Sequence, residues 1–303
     1  MPPSTPDTTP PAAPDPITAP VLVTGASGNV GREVLACLRE RGVAVRIGSR
    51  DGTAEGLRAG ETAVRLDLLD PSTFAAAVAG CRALFLLRPP AIADTGATLV
   101  PLIDAASAAG AGQVVFLSVA GADRMPFVPH HAVEKHLRAG PPGWTILRPG
   151  FFAQNLGTAY RRDIARDDRL YVPAGRGRVA FVDVRDVGEV AARALLDPGA
   201  HRGQAYTLTG PDAVTFAEAA RLLTAALGRP VHYAAASVVG YLWHLRRSGM
   251  PWAQALVQTA LHVGLRFGQA ARVDPTLERL LGRPPRPLAD YIAAHRALWR
   301  DDA

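Results

Sequence analysis

The stretch Val21-Leu22-Val23-Thr24-Gly25-Ala26-Ser27-Gly28-Asn29-Val30-Gly31 has the residue types and spacing to hold a phosphorylated ligand. An apolar run ends in three glycines spaced three apart. A helical pattern follows at once, with Val30, Val34, Cys37 and Leu38 on one face and Gly42 placed to stop it. Gly25 would let the chain turn tightly, Gly28 would let a pyrophosphate approach the backbone, and Gly31 would let the helix pack close to the strand. Thr24, Ser27, Asn29 and Val30 complete the loop. The phosphates would sit on free N–H groups at the positive end of the helix dipole. The strand–turn–helix order around the glycines is what lifts this above an ordinary tight turn.

A second signal is a count. Among 33 lysines and arginines the chain has a single lysine, Lys135. Arginine and lysine serve almost equally on a solvated surface, so a lone lysine is a candidate for work that the broad guanidinium fork does badly. It follows His130-His131-Ala132-Val133-Glu134, which puts His131 and Lys135 one helical turn apart on the same face, with His130 as the other candidate.

Further positions fall at predicted strand ends. Ser49 and Arg50 end the second strand about 20 residues past the glycine loop, where an Asp or Glu would hold the ribose hydroxyls of NAD and an Arg suits a 2′-phosphate. This predicts NADPH over NADH, with Asp51 one residue late. Asp67 and Leu68 follow the third strand, at the adenine. Leu87, Arg88 and Pro89 end the fourth strand over the crevice, Ser118 ends the fifth, and Pro149 and Phe151 end the sixth. Phe152, Asn155, Tyr160, Tyr241, Trp243 and Trp252, with His244 and Met250, offer a bowl of aromatics for a flat apolar ligand.

These positions need a scaffold. Strand patterns at 21–24, 43–49, 62–66, 82–87, 113–118 and 144–148 alternate with helical ones at 29–41, 71–79, 94–109 and 130–139. Such alternation predicts an α/β fold: a Rossmann-type doubly wound parallel sheet over 21–150. After Pro149 the rhythm changes: a strand at 179–183, a helix at 185–196, a strand at 205–208, a helix at 215–227 and a helical remainder ending near Arg300. Residues 151–303 read as a smaller, mainly helical substrate-binding region interleaved with the first domain. Residues 1–20 hold eight prolines and almost no large apolar side chains, which predicts a disordered tail.

Composition narrows the function classes. The 303 residues are 48% hydrophobic and 20% charged, as in soluble globular proteins. Two cysteines, Cys37 and Cys81, make neither a disulfide framework nor a metal site, so a reducing cytoplasm is the expected compartment. The net charge of +6 comes from arginines scattered among Asp and Glu, with no Lys/Arg-rich block. The expected partner is therefore a small apolar molecule, with no nucleic acid and no membrane, and the chain is expected as a monomer or homodimer.

The chain resembles the atypical short-chain dehydrogenase/reductase superfamily, and within it the NmrA-like group. The resemblance spans roughly residues 20–298. It rests on Thr24–Gly31, His130–Lys135, Trp144-Thr145-Ile146-Leu147-Arg148-Pro149-Gly150-Phe151-Phe152, Phe181–Val187 and Leu281-Gly282-Arg283-Pro284-Pro285. It implies NADPH-dependent reduction of quinones or azo dyes, or a reductase of a natural-product pathway. It also implies that Lys135 would hydrogen-bond the nicotinamide ribose. Family members that reduce ketones use Tyr-x-x-x-Lys with a Ser near the end of the fifth strand. Here the Tyr register holds His131 and the Ser is Ser118. A His can donate a proton near neutral pH, and acceptors needing little acid help, such as quinones, enones and iminium ions, fit as well as carbonyls. The other readings the resemblance allows are an NADP-sensing regulator without turnover and a redox-neutral cyclase or isomerase.

Overall fold

A computed structural model describes residues 19–140 and 142–300. The expected tail therefore lies, for 1–18, outside the described residues. The first half runs β1 (Val21–Thr24), α1 (Asn29–Glu40), β2 (Val45–Ser49), β3 (Glu61–Arg65), α2 (Phe74–Val78), β4 (Ala83–Leu87), α3 (Leu99–Ala108), β5 (Gln113–Leu117), α4 (Pro129–Ala139) and β6 (Gly143–Pro149). The second runs β7 (Phe151–Phe152), α5 (Arg161–Asp167), β8 (Arg169–Val172), β9 (Arg178–Val182), α6 (Val184–Leu196), α7 (Pro198–His201), β10 (Gln204–Leu208), β11 (Ala213–Thr215) and α8 (Phe216–Leu227). It closes with β12 (His232–Ala235), α9 (Val238–Arg247), α10 (Trp252–Gly264), α11 (Thr276–Leu281) and α12 (Leu288–Ala294).

Seven parallel strands form the main sheet in the order β10-β6-β5-β4-β1-β2-β3. The chain winds outward from β1 to β3, then crosses back to β4 on the other side of β1. The crevice between β1 and β4 is thus the topological switch point, where such sheets bind ligands at the carboxyl ends of their strands. The buried β1, Val-Leu-Val-Thr, shows why the run is continuous rather than alternating: one face packs on Val34 and Leu38 of α1, the other on α2 and α3. Helix α6 lies along α1, and β10 extends the main sheet. Residues 184–208 therefore belong physically to the nucleotide-side layers although they follow Pro149.

The region after β6 has its own apolar core, built from Leu156, Tyr160, Ile164, Leu170, Phe181, Phe216, Tyr241, Tyr291 and Trp299. Two small sheets brace it, β11-β9-β7 and β12-β8. Four of these short strands, β7, β8, β11 and β12, have no counterpart in the sequence reading, and the region after 227 is not helical throughout. Strands of two to four residues leave too few alternations to read. Helix α3 begins at Leu99 rather than 94, because Asp94 Oδ1 accepts from the Ala97 amide at 3.0 Å and Thr98 Oγ1 donates to the Asp94 carbonyl at 2.6 Å. That local turn competes with the helix.

Candidate active site at the strand ends

The glycine loop is built as its spacing suggests. Gly25 has φ +63°, and a Cβ there would stand 2.8 Å from the Leu87 side chain. At Gly31 a Cβ would meet the Gly25 carbonyl oxygen at 2.1 Å, so only glycine lets α1 start this close to the loop. Ser27, Gly28 and Asn29 are exposed. Helix α1 starts at Gly28 without a side-chain cap and with no acidic residue in its first turn. Its first internally bonded amide is that of Arg32, to the Gly28 carbonyl at 3.0 Å. The amides of Asn29, Val30 and Gly31 therefore have no helical acceptor, which fits the pyrophosphate of a dinucleotide. Thr24 is placed differently from the expectation. It is buried, donates to the Phe85 carbonyl at 3.0 Å and accepts from the Leu87 amide at 3.1 Å. Its hydroxyl stitches β1 to β4 instead of facing a phosphate.

At the end of β2, Ser49 Oγ donates to the Thr53 carbonyl at 2.6 Å, and Asp51 Oδ1 accepts from the Thr53 amide at 3.1 Å. That backbone bond leads the contacts holding the Asp51 carboxyl below its ordinary range. Asp51 thus closes its own loop, while Arg50 is exposed with no hydrogen bond or ion pair among the described residues. Next along, Asp67 Oδ1 accepts from the Leu69 amide at 3.0 Å. The cap before Pro71 is Asp70, so Asp67 keeps its other oxygen uncommitted. Leu68 is half-buried against the α2–α3 core.

Helix α4 is where the structure departs most from the sequence expectation. Its buried face carries His130, Val133, Glu134 and Leu137. His131 and Lys135 look the other way. Lys135 is exposed and lines a cavity of about 510 Å³ with Asp123, His131, Glu134, Arg138, Ala139 and Arg148. No residue of the glycine loop or of the end of β4 belongs to that lining. His131 Nδ1 is bonded to the Ala122 carbonyl at 2.8 Å. The cavity that His131 and Lys135 share is lined by Arg148 from the end of β6, and the pair is not the one that packs into the core. The reason is the phase of the helix: the i, i+4 pair that docks on the sheet is His130 and Glu134.

His130 meets the end of β4. Arg88 Nε donates to His130 Nε2 at 3.4 Å, and Arg88 Nη1 donates to the carbonyls of Pro89, Pro90 and Ile92. Arg88 thus folds the Leu87-Arg88-Pro89 turn back on itself rather than standing as a free wall. Burial, with the Arg88 charge second, pushes the His130 imidazolium down to about 4, against a smaller pull from Glu134. The ring is neutral at pH 7. Because Nε2 accepts from Arg88, the proton sits on Nδ1, and Nδ1 is buried with no hydrogen-bond partner among the described residues. Ser118 is buried and donates to Glu134 Oε1 at 2.6 Å. Glu134 is gripped by Arg148, whose Nη1 also reaches Asp123 at 3.3 Å. Ser118 is thus committed to a buried ion pair and its hydroxyl hydrogen is spent there.

On the far side, Pro149 is buried and Phe151 and Phe152 are half-buried at the end of β6. Phe151 stands edge-on to Phe181 and His262 at 5.4 and 5.9 Å between ring centres. Asn155 is half-buried, and its carbonyl accepts from the Tyr160 amide at 3.0 Å. Tyr160 and Tyr241 are buried in the second core. Tyr160 Oη pairs with His262 Nε2, and burial pushes both phenols up and the His262 imidazolium down. Trp243 and Trp252, the other aromatics expected on the substrate side, are about half exposed, with ring centres 5.7 Å apart. Helical periodicity marks an apolar face without saying which side of the helix the protein covers.

Residues 18–278 match the NmrA-like family. The chain belongs to the NmrA-like family. It is 35% identical over 285 residues to an NAD(P)H azoreductase of Xenophilus azovorans, covering 92% of this chain and 99% of that one. It is 34% identical over 283 residues to a (4-alkanoyl-5-oxo-2,5-dihydrofuran-3-yl)methyl phosphate reductase of Streptomyces griseus, covering 91% and 97%. Among solved structures it resembles the NADPH-dependent quinone oxidoreductase of Escherichia coli complexed with NADPH. The TM-score there is 0.81 at 27% identity, over 90% of this chain and 99% of that one.

In this NmrA-like chain three site features escaped the sequence reading: the Arg88–His130 contact, the Ser118–Glu134–Arg148 chain and the bracing of Asp183 by Gln154 at 3.1 Å. One signal was present. Arg148 interrupts the buried run Thr145–Leu147, and a charge inside a central strand needs a buried partner.

Proposed function

We propose that this chain binds NADPH across the β1–β4 crevice and reduces an apolar, aromatic or conjugated acceptor placed between His130 and Phe151. An NAD(P)H-dependent oxidoreductase of the NmrA-like family is the class that its relatives carry. The observation that carries the finer reading is the unpartnered Nδ1–H of a neutral His130 beside the end of β4. A buried N–H without an acceptor is costly, and a ligand oxygen or nitrogen beside it would remove that cost. When bound, NADPH supplies a hydride. The protein's part is then to cradle the pyrophosphate on the amides of residues 29–31 and to hold the 2′-phosphate with Arg50. It would stack the acceptor against Phe151 and steady the charge that develops on it with a neutral hydrogen bond from His130. A neutral donor suits quinones, azo bonds and enones, whose products are stable anions or take a proton from water.

The test is consumption of NADPH with a panel of quinones, azo dyes, enones and iminium ions. His130→Phe is expected to keep NADPH affinity within about twofold and lower kcat/KM by roughly 10- to 100-fold, the worth of one aimed hydrogen bond. Tight NADPH binding with no turnover of any acceptor would instead support the regulator reading.

A further inference from the structure

Helix α10 is inside out. Its exposed residues are Trp252, Ala253, Leu256, Val257, Ala260 and Leu261, with Gln254 the one polar side chain among them, while Ala255, Thr259 and His262 are buried. Leu256, Val257 and Leu261 are 54%, 61% and 55% exposed. The preceding helix α9 adds Val239 and Trp243, and the two exposed tryptophans meet across the turn between the helices. A contiguous apolar face of this kind is rare on a soluble monomer and marks something that covers it. Arg246 lies over the Trp252 ring at 4.7 Å, and Arg247 beside it is exposed. From His232 to Val273 there is no Asp or Glu; Arg246 and Arg247 lie beside the patch, while Arg272 pairs with Asp274 at 3.8 Å and Arg266 donates to the Pro173 and Ala236 carbonyls.

We propose that α9 and α10 form a docking face for an anionic lipid bilayer, with α10 lying in the interface plane and its tryptophans at headgroup depth. This inference is independent of the redox reading. Apolar side chains, two exposed Trp and the flanking Arg246 and Arg247 are the chemistry of a helix resting on such a surface. No helix of the described residues is long and apolar enough to cross a membrane, so the contact would be peripheral. A second copy fits less well. A two-fold contact puts the patch against itself, and the stretch from His232 to Val273 offers no acidic residue for Arg246 and Arg247 to meet. The net charge of +6 adds long-range attraction to an anionic surface.

The experiment is sedimentation of the full chain with phosphatidylglycerol and with phosphatidylcholine vesicles, alongside quenching of tryptophan emission by brominated lipid. Trp299 is fully buried and Trp144 on β6 is half-buried under Arg138, so the part of the quenching lost in Trp243→Phe and Trp252→Phe reports the patch. Expected are binding to phosphatidylglycerol that weakens with salt, little binding to phosphatidylcholine, and at least tenfold weaker binding in Leu256→Asp. Leu256 is exposed, so that variant is expected to fold, and Arg247→Glu gives an independent second arm with the same expected loss. Wild-type chain left in the supernatant with phosphatidylglycerol would overturn the proposal. So would equal binding by Leu256→Asp, or light scattering that shows a dimer which Leu256→Asp converts to monomer.

Discussion

At the scale of single residues, two side chains carry testable consequences. His130 is a buried base whose folded state resists protonation. The unfolded chain takes this proton near 6.5 and the folded chain only near 4. Between those values the unfolded state binds more protons, so stability falls as pH drops through the window and is flat above it. The loss amounts to at most about 3 kcal/mol. His130→Gln removes the titrating group. Urea midpoints at pH 7 and pH 4.5 are expected to differ less in the variant than in wild type, and an unchanged difference would show that other groups set the acid sensitivity. Arg50 is the second. It stands exposed, with no ion pair among the described residues, beside a loop that Asp51 closes on itself. Arg50→Ala is expected to weaken NADPH by roughly tenfold to a hundredfold and NADH hardly at all, since a charge-assisted bond is worth about 1.5–3 kcal/mol. Equal losses for both cofactors would remove Arg50 from the 2′-phosphate.

At the scale of elements, the β1–loop–α1 unit was legible and α4 was half legible, for one physical reason. The glycine loop is fixed by local sterics: a positive φ at Gly25 and a 2.1 Å conflict at position 31 are properties of the chain itself. Gly31→Ala is therefore expected to push α1 off the loop, cost about 1–3 kcal/mol as overpacking does, and weaken NADPH binding, which titration of cofactor fluorescence can read. Which face of α4 docks on the sheet is a tertiary choice. His130/Glu134 and His131/Lys135 have the same spacing, and what distinguishes them is tertiary: Val133 and Leu137 pack inward while Arg148, Ser118 and Arg88 bond Glu134 and His130. Lys135→Ala is accordingly expected to leave NADPH affinity and kcat/KM within about twofold. A drop of the size expected for His130→Phe would return the lysine to the site.

At the scale of the whole molecule, the last forty residues close the structure through polar ties that no periodicity announces. Asp186 on α6 is fully buried. It accepts from the Arg283 and Arg286 side chains and from the Arg286 amide at 2.7 Å, and Arg283 also meets Glu189 at 2.6 Å. This clamp follows α11 and aims the chain toward α12. Beyond α12, Trp299 is fully buried and its indole N–H donates to the Leu156 carbonyl at 2.9 Å. Leu156 follows Phe151, Phe152 and Asn155 within one short segment, so the C-terminal closure supports the substrate side of the crevice from behind. The Asp186 carboxylate is enclosed and its two guanidiniums keep about a third of their surface in water. Removing the carboxylate therefore strands no fully buried charge; it deletes charge-assisted bonds and frees one amide. Asp186→Ala is expected to cost about 2–4 kcal/mol and to release the segment after 282 to limited proteolysis at pH 7. It should also raise KM for the acceptor more than Kd for NADPH, because no clamp residue bonds to the glycine loop or to Arg50 among the described residues. Equal losses on both ligands would mean that the closure holds the α1–α6 layer as well, and that the two ligand sites share one support.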